Sequence, residues 1–403
     1  MSRRGNGVKT WETPTEPRSS SRTERRRHCE RFRPGIAALL IGWAMAVPTT
    51  AAAAPPALTP GAASPPHPVS SAAAPKPAAS AARSASLPTA SKLTPSARRQ
   101  ALLRAGAAVV GVEVRALPDA PTNRMMGGLR NGSGVVIGED GLVLTIGHLL
   151  LEAEEVDLRL SSGRSVPARV LAADPVTGFG LVKALLPLEV APVPLARDTV
   201  VRRKDKLLLV SGGAQRAFSA PNLSARRPYS GYWEYHLENA LFTRPLRTDH
   251  AGAGLFNDRG ELLGIGSLLV IESPAEYERG PGNLFVPIDL LKPVYDELLQ
   301  QGRSSASRRA WLGVNCLQGA DGVGIAFVSA DSPAEAAGLQ QGDAIRRIDG
   351  VAVDDLASFY KQLWGGGDAE RDITLTVQRE GAAMDITLHS VDRFQALRRV
   401  TGI

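Results

Sequence analysis

Only two cysteines, Cys29 and Cys316, occur in the 403 residues. Cys29 lies in an N-terminal stretch that reads as a leader. Once that is removed a single thiol remains, which excludes an internal disulfide and leaves stability to a packed core. With no His or Asn placed to activate it, Cys316 reads as a small core filler rather than a nucleophile. A membrane-length apolar run is missing too: Gly35–Val47 offers thirteen residues, short of the roughly 20 a helix needs to span a bilayer. Nor is there a basic surface. The formal charge is +7, but residues 1–54 hold ten Lys/Arg against four Asp/Glu, leaving 37 basic and 36 acidic residues in the rest. The folded part therefore has no excess cation to hold a phosphate backbone, and no nucleic-acid partner is expected.

What is present begins with that leader. Arg25, Arg26, Arg27, Arg31 and Arg33 precede the short apolar run, and small residues Ala51–Ala54 follow it. Basic, apolar and small-residue segments in that order make residues 1–54 a signal peptide or N-terminal anchor, and so predict an exported protein, with a membrane tether left open. Residues 55–98 are nearly all Pro, Ala, Ser and Thr. Such a segment cannot bury enough apolar surface to offset its chain entropy, and is expected to be a disordered, stiffish linker with order starting near Ser96.

Beyond it the pattern is mainly β. A short helix over Arg98–Arg104 and a strand over Ala107–Arg115 lead into Gly134–Ile137, a Gly138-Glu139-Asp140-Gly141 turn, and Leu142–Thr145. Asp-Gly between β-branched runs is a strong hairpin signal. Further short strands are expected at 156–160, 166–171, 181–183, 207–210, 255–256 and 262–269, with an aromatic-rich strand at Tyr232–His236. Many short strands with Gly-rich turns indicate a β barrel or sandwich. A helix over Ile288–Gln301 closes this domain, assigned to 99–303. After the polar linker around Gly302–Arg309, a smaller domain occupies 306–393.

Three motifs in the first domain occur in a telling order. Gly132-Ser133-Gly134 leads to Thr145-Ile146-Gly147-His148. Asp174-Pro175-Val176-Thr177 leads to Gly178 and the apolar Phe179–Val182. Asp249-His250-Ala251-Gly252-Ala253-Gly254 precedes Asn257 and Gly260-Glu261-Leu262-Leu263-Gly264-Ile265. In spacing and surroundings these resemble the histidine, aspartate and serine motifs of HtrA-type, trypsin-like serine proteases. The resemblance implies a trypsin-like double β-barrel, with His148, Gly178 and Ala251 at the positions of the catalytic His, Asp and Ser. Alanine has no atom that can attack a carbonyl, and glycine has no carboxylate to orient an imidazole, so the resemblance is to a protease without its chemistry. The oxyanion hole is also expected to suffer. Asp249, followed by His250, stands where the family has a glycine, and a carboxylate there would repel a developing oxyanion. Ser211-Gly212-Gly213 looks like a second nucleophile motif but falls at a strand end in the family pattern and reads as a turn. His148, His250 and Asp249 suggest a metal position only weakly, and neither metal nor cofactor is expected.

The second domain carries Ser332-Pro333-Ala334-Glu335-Ala336-Ala337-Gly338-Leu339, then Gly342-Asp343-Ala344-Ile345 and Ile348-Asp349-Gly350. These segments resemble the PDZ domain of HtrA proteins. Ser-Pro starts a short helix, Gly338 ends it, and Asp-Gly turns a hairpin. The resemblance implies a small α/β fold in which Trp311-Leu312-Gly313-Val314 offer backbone N–H groups to a peptide's terminal carboxylate. A helix capped by Asp354-Asp355 would place Leu356, Phe359, Tyr360 and Leu363 in the core or on the pocket floor. The whole reading is an exported, periplasmic or envelope pseudoprotease that takes peptides or unfolded C-termini through its PDZ domain, as adaptor, regulator or holding chaperone. A working endopeptidase with a relocated triad and a tethered envelope scaffold are the alternatives. Homo-oligomerisation stays open.

Overall fold

A computed structural model of the chain describes residues 93–213, 216–273 and 280–397. The leader, Cys29 and the Pro/Ala-rich stretch up to residue 92 lie outside the described residues. The chain enters as α1 (Pro95–Ala107), which starts where Thr94 accepts a hydrogen bond from the Ala97 N–H and Pro95 supplies a preset φ. The helix thus starts at a Thr-Pro cap a few residues inside the stretch expected to be disordered to residue 98.

Six antiparallel strands then close a barrel: β1 (Val109–Ala116), β2 (Leu129–Val136), β3 (Leu142–Ile146), β4 (Ala153–Arg159), β5 (Ser165–Ala173) and β6 (Phe179–Ala184), in the order β1-β2-β3-β6-β5-β4. A single helical turn, α2 (Asn123–Met126), sits between β1 and β2. The next seven, β7 (Leu208–Ser211), β8 (Ala217–Ser219), β9 (Asn222–Gly231), β10 (Tyr235–Arg244), β11 (Gly254–Phe256), β12 (Leu262–Ser273) and β13 (Gly280–Pro287), form one antiparallel sheet ordered β8-β7-β11-β12-β13-β10-β9. One apolar core runs through both, with Val112, Leu144, Phe179, Phe242, Phe256 and Phe285 among its buried side chains. The fold is the expected trypsin-like, mainly β one.

Two local expectations are corrected. The helix foreseen over Ile288–Gln301 is two 3₁₀ turns, Ile288–Leu290 and Lys292–Val294, followed by α3 (Tyr295–Gln301). Pro293 lacks an N–H and disfavours helical geometry in the residue before it, so regular α-helix starts only beyond it. The aromatic run Tyr232–His236 is not one strand. Tyr232-Trp233-Glu234 make the turn between β9 and β10, with Gly231 paired to Tyr235 and Glu234 in the left-handed region at φ 55. The turn carries no glycine signature, because a glutamate holds the left-handed position that glycine usually marks.

The second domain is built from β14 (Ala310–Trp311), β15 (Val314–Gly319), β16 (Gly322–Val328), β17 (Ala344–Ile348), β18 (Val351–Ala352), β19 (Asp372–Arg379), β20 (Ala382–His389) and β21 (Val391–Asp392). Its main sheet runs β15-β16-β17-β19-β20, with β18 on β17, while β14 pairs with β21. The helix α4 (Pro333–Ala336) is capped by the Ser332 hydroxyl, and Asp349 and Gly350 turn β17 into β18 at φ 50 and 79. The helix α5 (Leu356–Gly365) starts from a reciprocal cap between Asp355 and Ser358. Leu356, Phe359, Tyr360 and Leu363 all turn into the core of this domain.

Candidate functional site

His148 sits on the 3₁₀ turn Gly147–Leu150 that follows β3, and Gly178 on the turn before β6. The turns are tied by the Gly147 N–H donating to the Gly178 carbonyl at 2.7 Å, and both residues line one pocket. Asp174 is not part of that chemistry. One of its oxygens accepts from the Thr177 N–H and hydroxyl, the other from the Ser304 hydroxyl, so it anchors the turn. Gly178 has φ +84, and a Cβ on it would stand 2.5 Å from the Tyr235 Oη. That phenol is buried and donates to the Thr177 carbonyl at 3.1 Å. An aspartate at 178 would need both a disfavoured backbone and the space Tyr235 fills.

Among the described residues no carboxylate is paired with His148 to orient it. Burial lowers its pKa to about 4, reinforced by His250 and Arg130 nearby, so the imidazole is neutral at physiological pH. Ala251 lies on the loop before β11, its carbonyl accepting from the Ser133 N–H at 2.8 Å. The loop is pinned further by the Gly252 N–H on the Gly266 carbonyl and the Ala253 N–H on the His250 carbonyl. Gly252 has φ +72, and a Cβ there would lie 1.8 Å from the Ser133 carbonyl oxygen, so only glycine fits.

Asp249, the neighbour expected to spoil the oxyanion hole, has side-chain partners of its own. The Asp249 carboxylate turns aside to pair with Arg247 through Nε at 2.8 Å and Nη2 at 2.5 Å, and accepts the Ser211 hydroxyl. Arg247 and then Ser211 hold it below the usual carboxylate range despite partial burial, and its own N–H also turns to it. The Asp249 carboxylate is thus engaged by Arg247 and Ser211. Ser211 is correspondingly no loose turn residue but the buried end of β7, with its hydroxyl committed to Asp249. The His250 Nδ1 faces the Arg247 carbonyl at 3.0 Å. Among the described residues no group of three His, Cys, Asp or Glu is gathered that could hold a metal.

The C-terminal segment adds a feature that sequence reading missed. Arg393, Phe394 and Leu397 line the same pocket as His148 and Gly178, together with Trp233 from the β9–β10 turn. The pocket wall is therefore contributed partly by residues more than two hundred positions away.

In the second domain the Trp311–Val314 loop has its carbonyls drawn outward. The Leu312 carbonyl accepts from Ala334 N–H and that of Gly313 from Ser329 N–H. Gly313, at φ +85, leaves no room for a Cβ, which would meet the Ser332 Cβ at 2.2 Å. The N–H groups of Leu312, Gly313 and Val314 then converge, and they converge on a carboxylate. Glu234 Oε1 accepts from Gly313 at 2.9 Å, Val314 at 3.1 Å and Leu312 at 3.3 Å.

Comparison with known proteins agrees with both halves. Residues 132–265 match the trypsin-like peptidase domain family, and residues 310–389 match the PDZ domain family. The chain has the domain make-up of an HtrA/DegP-type protein. It is 26% identical over 267 residues to the serine endoprotease DegS of Haemophilus influenzae, covering 63% of this chain and 75% of that one. It is 27% identical over 278 residues to a probable periplasmic serine endoprotease, DegP-like, of Halomonas elongata, covering 64% and 55%. The chain thus spans about half the length of its DegP-like relatives. A solved structure described as the HtrA-type protease AlgW with decapeptide overlays at a TM-score of 0.46 with 21% identity, covering 75% of this chain and 99% of that one. The serine endoprotease from Yersinia pestis gives 0.46, 24% identity, 74% and 99%.

Proposed function

We propose that this HtrA-like chain is an exported pseudoprotease of the bacterial envelope that binds peptides or protein C-termini through its PDZ domain. The observation that carries the binding half is the set of three successive N–H groups, Leu312 to Val314, already holding a carboxylate. A terminal carboxylate presents the same two oxygens, and an extended peptide behind it has the edge of β15 to pair with. Against turnover stand Ala251 in the nucleophile loop, Gly178 with Tyr235 crowding it, and a neutral His148 with no carboxylate partner. Export is supported by the leader-like residues 1–54 and by the periplasmic description of several relatives. The role is then that of an adaptor, regulator or holding chaperone in envelope protein quality control.

Two measurements test this. Titration calorimetry of the chain with a peptide ending in an apolar residue should give about tenfold to a hundredfold tighter binding for the free acid than for the amide, since hydrogen bonds to charged groups are worth about 1.5–3 kcal/mol. Equal affinities would remove the carboxylate loop from the reading. A fluorophosphonate probe should label no serine of the chain, and labelling abolished by a single serine substitution would restore a peptidase.

A further inference from the structure

The carboxylate in the PDZ loop belongs to the protein itself. Glu234 comes from the turn between β9 and β10 of the trypsin-like domain and is almost completely buried. It is not the only ligand-like contact that turn makes. The Tyr232 carbonyl accepts the Cys316 N–H of β15 at 2.8 Å, the bond an added strand would make. The α5 helix contributes as well: Tyr360 Oη donates to the Gly231 carbonyl at 2.7 Å and accepts from the Glu234 N–H at 3.1 Å. Loop, strand edge and helix, the three elements of a peptide groove, are each engaged by the four residues Gly231–Glu234.

The conformation of the turn points the same way. Glu234 is held at φ 55, a left-handed backbone that costs a non-glycine residue some strain. A glycine would make the turn more easily but would carry no carboxylate. The side chain and its strained backbone persist where the surrounding contacts over-determine them, and those contacts are the three loop N–H groups.

We propose that the Gly231–Glu234 turn is a built-in pseudo-ligand that occupies the PDZ groove, so that a C-terminal peptide binds only by displacing it. This rests on the peptide-binding reading above and adds its regulation. Glu234 is the gating residue because its carboxylate and a peptide's terminal carboxylate compete for one set of donors. Opening the groove also frees the turn that carries Trp233 into the pocket beside His148, so occupancy of the second domain is registered in the first.

The experiment is a titration of the full chain and of its Glu234→Ala variant with one fluorescent peptide bearing a free C-terminal carboxylate and an apolar last residue. If the groove is closed in about ninety to ninety-nine chains of a hundred, the apparent affinity of the unsubstituted chain is reduced by the open fraction, and Glu234→Ala should bind roughly tenfold to a hundredfold more tightly. Equal, measurable affinity in both would overturn the gate while leaving peptide binding intact. No binding by either would overturn both. Because Glu234→Ala leaves donors unpaired and could fail to fold, hydrogen exchange on the unsubstituted chain supplies the second reading. Saturating peptide should speed exchange at residues 231–236, whereas bound peptide with unchanged exchange there would show that the two do not share a site.

Discussion

At the scale of single residues, the proposed loss of peptidase chemistry goes deeper than the Gly178 and Ala251 positions alone, because Tyr235 fills the space beside Gly178. Restoring them as Gly178→Asp with Ala251→Ser should yield no turnover of a casein-like substrate, and should lower the melting temperature. The aspartate meets a positive φ and the Tyr235 hydroxyl, both of which a glycine avoids. Recovery of activity by that pair alone would mean the Tyr235 contact yields freely. Two perturbed groups, Glu234 and His148, give opposite pH signatures. Burial pushes Glu234 up to about 7, against the opposing pull of Arg393 and the three loop N–H groups, with Tyr360 and Cys316 also facing it. A carboxyl raised in the docked state favours docking below its ordinary pKa, and that contribution is lost as pH rises through 7. Peptide affinity should therefore improve between pH 5 and 8, and Glu234→Ala should flatten the profile. The His148 pKa is lowered instead, by burial first and then by His250 and Arg130, so its contribution is present above about 6.5 and lost as pH falls through 4. Denaturation below pH 6 should be partly relieved in His148→Phe. An unchanged acid transition would assign it to other groups.

Elements were legible in proportion to how local their causes are. The Asp349-Gly350 turn, the Ser332-Pro333 start of α4 and the Asp355 cap of α5 are set within four residues and were foreseen. Replacing Asp355 by Ala removes the acceptor of the Ser358 N–H at 2.7 Å and should cost about 1 kcal/mol in chemical denaturation. A loss of less than a few tenths would mean that packing, not the cap, sets the start of α5. β9 was missed because Arg226, Arg227 and Pro228 interrupt any alternation, and β9 holds its place through pairing with β10. The docking of the turn was illegible for the same reason on a longer span: Glu234 and its donors are separated by 78 to 80 residues. The one local clue was an acidic side chain inside the aromatic run Tyr232-Trp233-Glu234-Tyr235, with nothing beside it to pair with.

At the scale of the molecule, the C-terminal segment from β21 onward joins the two domains. Arg303 pairs with Asp392 at 2.8 Å, Arg303 lies over the Phe394 ring at 5.1 Å, and Arg393 donates to the Trp233 carbonyl at 3.3 Å while facing Glu234 electrostatically. Removing that cation by Arg393→Met leaves a buried carboxylate without its counter-charge, a loss of up to about 3 kcal/mol. Limited proteolysis should then cut the 302–309 linker faster, as the domains separate more often. Unchanged cleavage would show that the segment is passive cover.

A ligand carried on the same chain never dilutes. A tethered group of this kind acts at an effective concentration in roughly the millimolar range, whatever the amount of protein present. A solitary terminus of modest affinity, arriving at far lower concentration, loses that contest almost every time. Crowded termini, such as those on a misassembled oligomer, raise the local concentration of competing ends toward that of the tethered turn. The turn would thus make the chain a threshold counter of exposed ends, deaf to normal peptide traffic and responsive when ends accumulate in one place.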